Sequence, residues 1–324
     1  MARFTVTETT WSGVPALRLC DDDAHTVATL VPGFGGNLIS LTDQGEELLR
    51  TAPDAEALRA KPTRWGIPVL MPPNRIAGGR FRFNGREYQL ELTDSSGLHH
   101  NHGFPVRRPW QVAATGTAPG ASATIRFAAA DHPDVMAQFP HPFVLELTYT
   151  LEGRTLRCRP VIRNLGEEPM PFGLGFHPYF LAPQEEEIFV RLTPGRLWEM
   201  QEWMPTGRFL EPQETYDLST WQPAHAVTRG EGYAVAAPEP DGWSRFELAN
   251  RTTGRTLALR AAPAYRHWLI FNGFAGSFSA EPYTCMTNAF NLDLDPAVSG
   301  MAALAPGEER RDLEWELTWS ERAQ

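Results

Sequence analysis

Several things are scarce in this chain, and each scarcity argues against a class of function. There are three cysteines in 324 residues, Cys20, Cys158 and Cys285, far apart and with no C-x-x-C pair. That argues against a disulfide framework or a thiolate zinc site and leaves small buried thiols. No apolar run approaches membrane-spanning length, and Met1 to Cys20 is polar and alternating, without the apolar stretch of a secretory signal. A soluble, cytoplasmic protein with no membrane partner is the expectation. No segment longer than about 12 residues sustains a helical period, and no repeat or low-complexity linker splits the chain. Lys61 is the only lysine, which reads as coding bias. Positive charge is in deficit, 29 Lys+Arg against 39 Asp+Glu for a net charge of −10, so nucleic acid and anionic membranes are poor partners.

What remains is strand after strand. Phe143, Leu145, Leu147, Tyr149 and Leu151 alternate with Val144, Glu146, Thr148 and Thr150, a period of two that marks a half-buried strand. Leu156, Cys158 and Pro160 continue after a Glu152-Gly153 turn. Phe81 to Leu90 carries Asn84-Gly85 between two short runs, the strongest local hairpin signal. Ser12-Gly13 suggests an opening hairpin, and Val27 to Val31 and Asn37 to Leu41 flank another turn. Leu313 to Trp319 alternates as a last strand. Glu46 to Arg59 has room for one short helix, interrupted by Pro53. Dispersed glycine (27) and proline (28) supply the many turns such a chain needs. The expected fold is all-β, a large antiparallel sandwich in one domain spanning 1–324.

Four stretches carry chemistry. In Gly173 to Phe180, Gly-Leu-Gly-Phe-His-Pro-Tyr-Phe, the glycines permit close approaches that a Cβ would block. Pro178 pushes His177 toward an extended backbone, holding the imidazole beside Phe176, Tyr179 and Phe180; a half-buried histidine at a strand end is the plainer alternative. In Pro72 to Phe81, Asn74 and Arg75 precede a strand and offer several donors in fixed directions, or else Arg75 sits in a surface ion pair. Leu98 to Phe104 has three histidines in four residues. His100 and His102 have the H-x-H spacing that sets two ligands on one strand face. The residues that follow are Pro105, Val106, Arg107 and Arg108, a poor setting for a cation, so no metal is expected. In Phe278 to Thr284, Glu281 lies among mostly apolar or aromatic neighbours, where a carboxylate needs a partner or a raised pKa.

Together, in this order, Asn-Arg-Ile with a following Gly and Phe, His-Gly, Gly-x-His-Pro-Tyr-Phe and Glu-Pro-x-Thr resemble the aldose 1-epimerase (galactose mutarotase) family. The resemblance runs from about Pro32 to Trp319. It implies a β-sandwich of the galactose-mutarotase type, Glu281 as general base, His177 as general acid, His102 as the second histidine near the sugar ring oxygen, and Arg75 as a ligand of sugar hydroxyls. His100 is an alternative to His102, although only His102 precedes a glycine. The family often adds an aspartate, and Glu231 in Gly230-Glu231-Gly232-Tyr233 is the nearest candidate for that place. Phe104, Tyr179 and Trp268 offer rings for stacking on a sugar, with core packing preferred for Trp268. The partner is a small sugar, bound by a monomer or homodimer, and neither cofactor nor metal is required.

The implied reaction interconverts α and β anomers of a free aldohexose through ring opening. A base takes the proton of the C1 hydroxyl while an acid protonates the ring oxygen. Two alternatives stay open: a hexose-6-phosphate epimerase, since Arg107 and Arg108 follow the histidine loop, and a non-catalytic carbohydrate-binding protein on the same fold. Strand alternation would send the two arginines to opposite faces, leaving Arg75 and Arg80 as the other nearby cations, so the charge argument favours a neutral sugar. A glycosidase would need two opposed carboxyl groups, and only Glu281 has a site-like setting; Asp293 and Asp295 read as turn residues.

Overall fold

The strand Phe143–Glu152 buries every second residue without exception, from Phe143 to Leu151. It pairs with Thr155–Asn164 across the Glu152-Gly153 turn, so that Leu147 faces Pro160 and Tyr149 faces Cys158. The two rows form one apolar face of an antiparallel sheet that has ten strands. The computed structural model describes residues 2–211, 217–227 and 230–321. Within them a second sheet has eight strands, and a meander of five, from Phe4–Trp11 to Glu46–Glu47, makes a third. The fold is all-β, an antiparallel sandwich.

The hairpins form where the turn chemistry calls for them. Asn84 and Gly85 both take positive φ between Arg80–Phe83 and Arg86–Gln89, as do Ser12 and Gly13 between the first two strands. Across the first of these hairpins Phe81 stacks on Tyr88, with ring centroids 4.4 Å apart and an interplanar angle of 2°. The expected short helix is Ala55–Ala60, just past Pro53 and capped by the Asp54 side chain on the Ala57 N–H. Two further short helices, Pro133–Gln138 and Pro296–Ser299, start on prolines, whose missing N–H costs nothing at that position. Asp295 caps the second of them. Among the described residues no helix is long and apolar enough to cross a membrane.

The large sheets meet through aromatic side chains. Phe246, from Ser244–Asn250 in the ten-stranded sheet, stacks on Phe278 of the eight-stranded sheet at 5.6 Å, and Trp315 meets Phe176 at 5.4 Å. The strand Ser277–Tyr283 is buried along its whole length. Phe278 and Ala280 alternate into the apolar core. Ser279, Glu281 and Tyr283 therefore share the opposite face, so one strand serves the core and a polar site at once. Trp268 is core, its indole N–H donating to the Ser244 hydroxyl at 2.9 Å. Cys158 and Cys285 are buried free thiols, and Cys20 is a partly buried one.

Candidate active site

The Gly173–Phe180 stretch is two short strands in one register, broken at the histidine. Gly175 pairs with Tyr283, and Tyr179 pairs with Ser279, both antiparallel to Ser277–Tyr283. His177 thereby stands directly opposite Glu281. At Gly175 a Cβ would lie 2.4 Å from the Tyr283 ring, so the strand approaches only because that atom is missing. The His177 Nε2 lies 3.3 Å from Glu281 Oε1.

Hydrogen bonds fix the imidazole. The Ser279 hydroxyl donates to the Pro178 carbonyl at 2.7 Å, so its oxygen accepts from His177 Nδ1–H at 2.8 Å. That assigns a proton to Nδ1 and leaves Nε2 facing Glu281 and the Tyr179 hydroxyl, 2.9 Å away. The Tyr179 hydroxyl also reaches the Thr63 carbonyl at 2.9 Å, and its ring stacks on His177 at 4.3 Å. Glu281 accepts from the Tyr283 hydroxyl through Oε2, while Oε1 has no hydrogen-bond partner within the protein. Burial pushes the Glu281 carboxyl well above its usual range and pulls His177 down to about 3. Both shifts favour the uncharged form of the group, and the titration of so close a pair belongs to the two groups jointly.

His102 arrives from another direction. It has a φ of 67°, next to Gly103 at 75°, and its N–H donates to the Asn74 carbonyl at 2.9 Å. Its ring stands edge-on to His177, centroids 5.5 Å apart. Desolvation, then the neighbouring His177, hold its pKa well below the ordinary value, so His102 is neutral. The left-handed backbone also separates it from His100. That residue lies mid-strand in His99–Asn101, bonds through Nδ1 to the Glu91 carbonyl at 2.8 Å and packs on Phe104 at 5.3 Å. The H-x-H spacing shares a face only in a regular strand, and the chain leaves that strand before His102.

Asn74, Arg75, His102, His177, Tyr179 and Glu281 line one cavity of about 950 Å³, and His100 does not. Asn74 donates to the Tyr283 hydroxyl at 3.4 Å, and its Oδ1 accepts from Arg75 Nη1 at 3.3 Å. Glu231 opens the strand Glu231–Val235, opposite Ile270, and its side chain lies outside the described residues. Phe104 belongs to the apolar core rather than the cavity wall, which carries Trp203, Phe271 and Phe274.

Sequence reasoning missed Asp94. Its carboxylate is 3.9 Å from Arg75 Nε and lines the same cavity. Burial pushes its pKa up, but hydrogen bonds from Ser96, His99 and Leu98 outweigh that and lower it overall. The only signal was an Asp-Ser-Ser-Gly turn, which has the look of an ordinary loop. Arg107 and Arg108 do not lie in a strand. Pro105 starts a single 3-10 turn, Pro105–Arg107. The outcome still separates them: Arg107 lines the cavity, while Arg108 turns to Asp134 and Glu91.

A family model described as aldose 1-epimerase matches residues 17–313. The chain belongs to the aldose 1-epimerase family. It is 30% identical to the YihR protein of Escherichia coli K12 over 296 residues, 86% of each chain. It is 28% identical to YphB of the same organism, over 75% of this chain and 79% of that one. Its fold matches a galactose mutarotase-like protein from Clostridium acetobutylicum, with TM-score 0.87, 22% identity and 99% of both chains covered. It also matches a galactose 1-epimerase from Lactobacillus acidophilus, with TM-score 0.78, 14% identity and full coverage of both.

The buried imidazoles of this aldose 1-epimerase family member have a consequence for stability. His100 is pulled down to about 4, His177 and His267 to about 3, and His102 lower than its ordinary value, in each case chiefly by desolvation. Such a histidine binds fewer protons folded than unfolded. Its contribution is whole above about pH 6.5 and is lost as pH falls toward the folded value. Glu281 and Glu47, raised by burial, act oppositely, losing stability as pH rises above the ordinary carboxyl range. With these four histidines, and His132 and His141 lowered in the same way, against two carboxyls, the melting temperature is expected to fall steadily from pH 6.5 to about 4. His267→Asn, outside the cavity, should flatten that slope by about one proton. A melting temperature constant over this range would contradict the assignment.

Proposed function

We propose that the protein is an aldose 1-epimerase that interconverts the α and β anomers of an aldohexose by acid–base ring opening. The observation that carries this reading is the His177–Glu281 pair, 3.3 Å apart at the wall of the cavity. The reaction needs one group to accept a proton and one to donate a proton at the same moment, and a carboxyl group beside an imidazole supplies both. In this reading Glu281 is ionised and His177 carries a proton on Nε2 when the sugar binds. Glu281 Oε1, which accepts no hydrogen bond within the protein, takes the C1 hydroxyl proton as His177 Nε2–H protonates the ring oxygen. The C1–O5 bond breaks, the aldehyde turns about C1–C2, and closure on the other face returns both protons. Each role is typically worth about 10²–10⁴ in rate.

The other groups suit binding. Neutral His102 sits beside His177 and offers a ring nitrogen, Nδ1, that lacks a protein partner. Arg75 and Asn74 offer donors to hydroxyl groups, and Asp94 both orients Arg75 and accepts. Freshly dissolved α-D-galactose or α-D-glucose is expected to reach its equilibrium optical rotation faster with protein than without. A protein that binds either sugar but leaves the rate at its spontaneous value would be a binding module on this fold.

A further inference from the structure

We infer that the sugar carries an anionic substituent away from its anomeric carbon, a phosphomonoester or a carboxylate, and that Arg64 and Arg107 are its principal ligands. This deepens the epimerase reading and rests on it. The cavity wall holds five basic residues, Arg59, Lys61, Arg64, Arg75 and Arg107, against two acidic ones, Asp94 and Glu281. Arg75 is paired with Asp94. The other four form no ion pair among the described residues, in a chain whose carboxylates outnumber its bases 39 to 29. Acidic residues are abundant in the chain, yet on this wall Asp94 is taken by Arg75 and Glu281 faces His177, which leaves the other four cations without a carboxylate.

The neighbouring arginines make the contrast direct. Arg108 is saturated by Asp134, Glu91 and the Phe104 carbonyl. The side chain of Arg107, one residue earlier, gives a single bond, to the Asn101 carbonyl at 3.1 Å. Glu91, whose charge Arg107 also feels, is bonded to Arg108. Arg64 is held in place without being neutralised. Its carbonyl accepts from Arg50 at 2.6 Å, its N–H donates to the Lys61 carbonyl at 3.1 Å, and its guanidinium lies 5.0 Å over the Phe274 ring. The preceding Thr63 carbonyl holds the Tyr179 hydroxyl that contacts His177. The cationic segment is thus anchored to the proton-transfer pair. A planar guanidinium suits a phosphate or carboxylate bidentately, and low-dielectric walls strengthen its field. Sequence alone offered only Arg75 and Arg80 as companions to the arginine pair. The fold adds Arg59, from the helix Ala55–Ala60, and Lys61 and Arg64, from the segment after it, and that reverses the charge argument for a neutral sugar.

The test is mutarotation followed by magnetisation-transfer NMR on D-glucose, D-galactose, D-glucose 6-phosphate and D-galacturonate. One of the charged sugars is expected to exceed both neutral ones in kcat/KM by about tenfold or more, the gain typical of a hydrogen bond to a charged group. Which one it is distinguishes phosphate from carboxylate. The preference should shrink as salt rises. It should fall by about tenfold in Arg64→Ala and in Arg107→Ala, with Arg107→Lys in between, since an ammonium keeps the charge and loses the bidentate fork. Neutral hexoses turned over at least as well as both charged sugars, or a preference indifferent to salt and to both alanine variants, would overturn the inference and leave the epimerase reading intact. If no sugar is turned over, the epimerase reading fails. Calorimetric titration with the same four sugars then decides: tighter binding of a charged sugar upholds the anion site, and equal or weaker binding overturns it.

Discussion

Glu281→Gln is expected to lower kcat for mutarotation by about 10²–10⁴, with KM nearly unchanged. The amide keeps the shape of the carboxyl and can still meet the Tyr283 hydroxyl, but it cannot take the C1 hydroxyl proton. The variant should be no less stable than the parent above neutral pH. The carboxyl is fully buried, and its charged form opposes burial, whereas a neutral amide has no such penalty. Polarimetry on a fresh anomer gives the first quantity and thermal melting the second. A fully active Gln variant would move the base elsewhere, and Asp94 is the other carboxylate on the cavity wall. Unfolding of the variant would instead mean that the site carboxyl is structural.

Gly103→Ala is expected to be the most damaging single-methyl change in the site. A β-carbon there would stand 2.0 Å from the Met71 carbonyl oxygen and 2.1 Å from its carbon. Neither atom can swing aside as a side chain would, because the Met71 oxygen accepts from the Phe104 N–H at 2.9 Å. The residue also has a φ of 75°, where an L-residue pays about 1–2 kcal/mol. With overpacking of about 1–3 kcal/mol added, the loss should approach or exceed about 3 kcal/mol, read as a lower urea midpoint. The adjoining His102 would shift with it, so the fraction that still folds should turn over sugar slowly. A wild-type midpoint would mean that the loop is more compliant than its hydrogen bonds indicate.

These residues also mark where the sequence could be read and where it could not. Phe143 to Leu151 announced itself because every second side chain is apolar and one face is core. Asn84-Gly85 did so because few other pairs tolerate two positive φ values. Glu281 and His177 stood out as polar groups in apolar surroundings, and both line the cavity. Asp94 gave no such signal, since its neighbours are polar turn residues and its role arises from Arg75, distant in the chain. Trp203, in the turn between Gly195–Gln201 and Met204–Phe209, was equally silent. His100 misled for the opposite reason: spacing alone suggested a shared face, and one left-handed residue undid it. Non-local assembly and isolated backbone inversions leave no periodic trace.

The register of Ser277–Tyr283 carries a further consequence. Side chains on a strand alternate, so a slip of one residue would send Glu281 into the apolar layer and bring Ala280 to the cavity. The same error would therefore strand a carboxylate in the apolar core and remove the proposed proton acceptor. No population of misaligned molecules could retain partial turnover while escaping the energetic penalty. Specific activity then counts correctly aligned molecules in any preparation, and selection acting on turnover alone would keep the alignment of the sheet under surveillance.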